Sequence, residues 1–113
     1  MKTFLMAGLL ALLATMAAAH TGLNATVPED GAILTEVPPH VVLTFGSDTR
    51  LVRVRMTHDD HSAIDLDLGD RTAFGTRFIV PLADFGTGLY RIELRSLAQD
   101  GHAMREVFMF RVQ

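Results

Sequence analysis

Asp100-Gly101-His102 is the segment of this sequence best equipped for chemistry. A carboxylate and an imidazole two positions apart point the same way where the backbone is extended, and the glycine between them lets the chain bend. Such a pair suits Cu(II), Ni(II) or Zn(II). Asp-Gly is also among the commonest turn signals, so taken alone the segment reads first as a turn carrying a solvated histidine. His20 is a second candidate. A cut after Ala19 would make it the first residue, and its free α-amine and its own imidazole could then chelate a metal. The amine has a pKa of about 7.7–8 and imidazole about 6.5, so both shed protons near neutral pH. One amine, two imidazoles and one carboxylate together make a tetragonal Cu(II) environment, provided the two ends of the chain approach in space. His58-Asp59-Asp60-His61 packs two imidazoles and two carboxylates into four residues. It follows a strand and is expected to be a solvated polar turn, because a second, weaker metal site there would need all four groups to converge. His40, between Pro39 and Val41, is expected to be exposed at a strand start.

The elements that must position these groups are short alternating runs separated by Gly, Pro and Asp. Val41, Leu43 and Phe45 alternate with more polar neighbours, as do Val52, Val54 and Met56, and then Ile64, Leu66 and Leu68. Phe78 and Val80 precede Pro81; Tyr90, Ile92 and Leu94 face away from Arg91, Glu93 and Arg95; Phe108, Phe110 and Val112 close the chain. A period of two buries one face and wets the other, as in antiparallel sheets. With a first strand near Leu23 to Val27 the count is about seven. The expected fold is all-β: a small immunoglobulin-like antiparallel β-sandwich. The apolar sets form its core, and the strand arginines with Glu93 and Asp67 form a solvated outer face. Tyr90, two residues after Gly88, reads either as core or as a corner tyrosine whose hydroxyl bonds nearby backbone.

The 113 residues allow one domain. Lys2 followed by the apolar run from Phe4 to Ala19, ending Ala17-Ala18-Ala19, is expected to be a cleaved export signal over 1–19. The run is shorter than the ~20 residues of a spanning helix, and the domain over 20–113 is expected to contain no transmembrane segment. Removing nineteen residues from 113 leaves 94, with nine arginines, no lysine and thirteen acids, a net charge of −4. That balance argues against nucleic acid and against a polybasic hold on anionic lipid. The chain has no cysteine, which excludes disulfides, thiolate nucleophiles and Zn–Cys sites.

Several segments, in order, carry a family resemblance: Ala19 before His20, Val27-Pro28-Glu29-Asp30-Gly31-Ala32, Pro38 to Phe45, Gly88-Leu89-Tyr90-Arg91-Ile92, and Ser96 through Asp100-Gly101-His102, followed by the phenylalanine-rich last strand. In these the chain resembles the CopC-type periplasmic copper-binding proteins over nearly all of 20–113. The resemblance implies the immunoglobulin-like sandwich, export to the periplasm, and Cu(II) held by His20, Asp100 and His102. It also implies an inner-membrane copper-transport protein, on a separate chain, as partner. Relatives often place an acidic residue directly after the L-x-F strand, where this chain has Gly46, Ser47 and then Asp48. They commonly continue the D-G-H motif with Pro and a later Gly, where this chain has Ala103-Met104-Arg105-Glu106. Some carry a Met-rich loop for Cu(I). Met56, Met104 and Met109 form no such cluster in sequence, so Cu(II) alone is expected, one ion per chain.

The function expected is that of a copper carrier or buffer, not an enzyme. An oxidative copper enzyme acting on polysaccharides can also use an N-terminal histidine, but it needs a broad aromatic face, and this chain has one tyrosine and no tryptophan. A metal-free interaction module is the third possibility for a small sandwich.

Overall fold

The computed structural model describes residues 22–69 and 73–113. The expected leader over 1–19 and His20 lie outside the described residues. Seven strands follow in order: β1 (Leu23–Val27), β2 (Ala32–Leu34), β3 (His40–His58), β4 (Ile64–Asp65), β5 (Gly75–Pro81), β6 (Gly88–Ala98) and β7 (Ala103–Val112). The described residues contain no helix.

β3 organises the rest. Its first half runs between β1 and β5, with Thr26 and Phe78 both opposite Leu43. Its second half pairs with β6, Met56 opposite Ile92, and with the two-residue β4. β6 continues to β7 through ten paired positions, and β7 to β2. The β2–β7 pairing is parallel; the other pairings among the described residues are antiparallel. β3 thus serves both layers of the sandwich, and the inward faces of the two layers meet in a single apolar cluster. Where the sequence pattern reads two strands, Val41–Phe45 and Val52–Thr57, the chain makes one. Conversely, β2 has only three residues and no alternation long enough to read.

Alternation explains the core. Val41, Leu43, Val54, Ile92 and Leu94 are fully buried, with Phe78, Val80, Phe108, Phe110 and Val112 against them. Each such side chain contributes about 1.5–3 kcal/mol of burial. The phase of β3 changes once. Val41, Leu43, Phe45 and Leu51 point inward, the ladder slips between Leu51 and Arg53, and the inward set becomes Val54, Met56 and His58. The extra residue of that bulge is Val52, which is turned out to solvent, contrary to its expected place beside Val54. Tyr90 satisfies both expectations. Its ring is fully buried and stacked on Phe110 at 5.1 Å, while its hydroxyl donates to the Gly86 carbonyl at 2.7 Å and accepts from the Phe85 amide at 3.0 Å. Burial pushes the phenol pKa up.

Candidate metal centre

The Asp100 bend joins β6 and β7, which pair at ten positions. The Gly101 amide bonds the Ala98 carbonyl at 3.0 Å, and the Ala98 amide bonds the His102 carbonyl at 2.8 Å, closing the turn between β6 and β7. Gly101 has φ +94°, a backbone that a side chain would strain, so Asp and His can face each other across it only with glycine between. They do face each other. The Asp100 carboxylate takes the His102 backbone amide on Oδ1 at 3.0 Å and meets the imidazole Nδ1 on Oδ2 at 2.8 Å. These contacts, the backbone amide first and the imidazole second, hold the Asp100 carboxyl below its ordinary pKa. An ionised carboxylate only accepts, so Nδ1 donates to it. Both side chains stand in solvent, His102 at 82% and Asp100 at 65% exposure. A turn and a converging Asp–His pair, the two readings of the sequence, are therefore one structure.

Asp100 and His102 line an open cleft of about 450 Å³ with Ser47, Asp48, Gln99 and Met104. Asp48, three residues after Phe45, lines it as well. The beginning of the described chain comes to the same end of the sandwich. The Gly22 carbonyl accepts from the Gly46 amide at 3.1 Å, next in sequence to cleft-lining Ser47. The Leu23 amide is bonded by the Glu106 carboxylate at 3.0 and 3.2 Å. Glu106 escapes sequence reasoning because its partner is 83 positions away. The structure thus brings together Asp100 and His102 of the expected site; His20, two residues before Gly22, lies outside the described residues. Among the described residues no three His, Asp or Glu side chains form a metal-binding group.

The His58 turn is built differently from its expectation as a solvated loop. His58 continues the inward phase of Val54 and Met56 and is buried at 8% exposure. Its Nε2 donates to the Thr87 carbonyl at 2.8 Å, and its ring packs on Tyr90 and Phe85 at centroid distances of 4.9 and 5.8 Å. Asp59 Oδ1 accepts the Leu89 amide at 2.8 Å, and His61 Nδ1 donates to the His58 carbonyl at 3.0 Å. Asp60 stays in solvent. The turn sits at the start of β6, ten residue steps and about 34 Å of strand from the Asp100 bend. His40 opens β3 as expected but is half-buried instead of exposed.

On the outer face Arg53 pairs with Asp65 at 2.8 Å and Arg105 with Glu93 through Nε at 3.0 Å. Each acid is held below its ordinary pKa, first by its hydrogen bond to that arginine. Asp67, the expected partner on this face, is instead a turn residue whose Oδ1 accepts the Gly69 amide at 2.8 Å.

Comparison with known proteins bears on this geometry. No curated protein matches the sequence significantly. Among solved structures, CopC from Methylosinus trichosporium OB3b superposes with a TM-score of 0.66 at 19% identity, over 83% of this chain and 94% of that one. PcoC, a methionine-rich copper resistance protein from Escherichia coli, superposes with a TM-score of 0.60 at 21% identity, over 84% of this chain and all of the other. At such identities the likeness is one of fold. The family assignment comes from the sequence: a family model for the CopC domain matches residues 23–113, from the first residue of β1 to the last of the chain. The chain is a member of the CopC domain family.

Proposed function

We propose that this protein binds one Cu(II) per chain as cargo and serves as a periplasmic copper carrier or buffer. The donors are the α-amine and imidazole of His20, freed by cleavage after Ala19, with Asp100 and His102. The single observation that supports this best is the position of Gly22. It is bonded to Gly46 beside the cleft that holds Asp100 and His102, and the two residue steps back to His20 span at most about 7 Å. The donor set fits the metal. Without metal, Asp100 Oδ2 meets His102 at Nδ1; copper would replace that contact and draw the carboxylate and a ring nitrogen to itself as separate donors. Nitrogen and oxygen donors of this kind favour Cu(II) over Ni(II) and Zn(II) by the Irving–Williams order. Asp100 and His102 supply two donors, and the amine and imidazole of His20 would supply two more.

CopC family membership and the copper-resistance relative support the copper assignment. The chain itself performs no reaction in this account. Delivery goes to a separate copper-transport protein of the inner membrane; no helix among the described residues is long and apolar enough to cross a membrane.

The test is a Cu(II) titration of protein that begins at His20, followed by calorimetry and the visible d–d band. Saturation at one equivalent is expected. Silence in both measurements would identify a metal-free interaction module, and sustained peroxide-driven turnover by the loaded protein would identify an oxidative enzyme.

A further inference from the structure

We propose that Glu106 is the positioning residue of this copper site, acting with the absent side chain of Gly22 as a clamp that fixes where His20 arrives. The inference rests on the copper-binding reading above and adds a residue to it.

Period-two alternation puts Met104 and Glu106 on the side of β7 that carries the buried Phe108, Phe110 and Val112. At this end of the sandwich that side meets the entering chain. Glu106, half-buried, gives both carboxylate oxygens to the Leu23 amide at 3.0 and 3.2 Å. A hydrogen bond to an ionised acceptor is about twice as strong as a neutral one. Gly22 fits against the same carboxylate. A Cβ built on it would lie 2.7 Å from Glu106 Oε1, inside any ordinary contact, and 4.0 Å from the Met104 sulfur. A side chain at 22 would force the end of the Glu106 side chain to shift from its present seat. From the other side the Gly46 amide holds the Gly22 carbonyl at 3.1 Å. Residues 22 and 23 are thus gripped by β7 and β3 together, two steps from the proposed chelating residue and next to the cleft of Asp100 and His102. Ala103 through Glu106 is also where the sequence departs from the pattern of its relatives, and Glu106 supplies a contact in that stretch.

Glu106 touches no metal in this account. By holding Gly22 and Leu23 in place it fixes the point from which His20 must reach the cleft, which lowers the ordering cost of the chelate. The test uses metal-free and copper-loaded protein beginning at His20 in four forms: wild type, Glu106→Ala, Glu106→Gln and Gly22→Ala. Three properties are read: Cu(II) affinity by chelator competition, the copper EPR spectrum, and hydrogen exchange at the Leu23 amide without metal. Glu106→Ala is expected to weaken copper binding 10–100-fold, the range for groups that orient ligands. It should also alter the EPR hyperfine pattern and speed Leu23 exchange. Gly22→Ala, which keeps the carboxylate but shifts it, should change the three properties in the same direction by less. Glu106→Gln keeps a carbonyl acceptor and should recover most of the affinity, a rescue that loss of fold would not give. Should Glu106→Ala fail to fold, the other two variants carry the comparison. Affinity within threefold of wild type with an unchanged spectrum, or unchanged Leu23 exchange, would overturn the role of Glu106 while leaving the copper reading intact. Absence of copper binding by the wild type would overturn the copper reading and this role with it.

Discussion

Replacing Asp100 by alanine separates what the Asp100 bend does for the fold from what it does for a metal. The substitution removes two contacts at once, the Oδ1 bond to the His102 amide and the Oδ2 bond to Nδ1. Asp100 and His102 are largely in solvent, and the turn keeps its two backbone bonds between Ala98, Gly101 and His102. Water can replace the lost partners, so the unfolding midpoint of the metal-free protein should fall by no more than a few degrees, as for most exposed substitutions. The effect on copper is of another size. Without the carboxylate the imidazole rotates freely in the metal-free protein, and an anionic donor to copper is gone. Losing even a group that only orients a ligand costs about 10–100-fold in metal affinity, so loss of a direct donor in Asp100→Ala should weaken Cu(II) binding by at least that much. Thermal melts of metal-free protein and chelator-competition titrations on the same samples give both numbers. Unchanged copper affinity would refute the site, and a collapse of metal-free stability would refute the claim that this bend carries no fold.

Further outcomes follow from the other contacts. Tyr90→Phe leaves the Gly86 carbonyl and the Phe85 amide to solvent and should cost about 1–2 kcal/mol in urea denaturation at unchanged copper stoichiometry. His58→Ala opens a space under Tyr90 and Phe85 and frees the Thr87 carbonyl; it should cost about 2–3 kcal/mol and again leave copper stoichiometry at one, because the turn is a strand's length from the cleft. Glu93 is held below its ordinary pKa by Arg105, so the pair stabilises the fold above the unfolded value, about 4.3, and ceases to as pH falls through the lower folded value. Arg105→Ala should therefore be less stable than wild type at pH 6, with the gap closing below pH ~4 and narrowing in high salt.

Much of the fold was readable because it is written in period two. Phe78 and Val80, Tyr90 to Leu94, and Phe108 to Val112 all fall inward where their alternation puts them. The bulge in β3 was not readable. One extra residue turns Val52 outward and reverses the phase, and alternation on either side is identical whether the strand breaks or bulges. His58 had a signal that was available: it extends the spacing of Val54 and Met56, but its polar neighbours Asp59 and Asp60 made the turn look wet throughout. β2 depends on a parallel partner 78 positions away, Ala32 opposite Phe110, and has no local pattern to show. At the candidate site the Asp–Gly–His geometry is local and could be anticipated from three residues. Glu106 could not, since a carboxylate on a strand shows nothing of a backbone amide far along the chain.

The most direct measurement compares Cu(II) affinity of protein beginning at His20 with protein carrying one added glycine before it. The addition converts the α-amine next to the imidazole into an amide and touches nothing else in the fold. Weakening by orders of magnitude, with a changed copper EPR spectrum, is the expected result. Equal affinity and an identical spectrum would contradict the account.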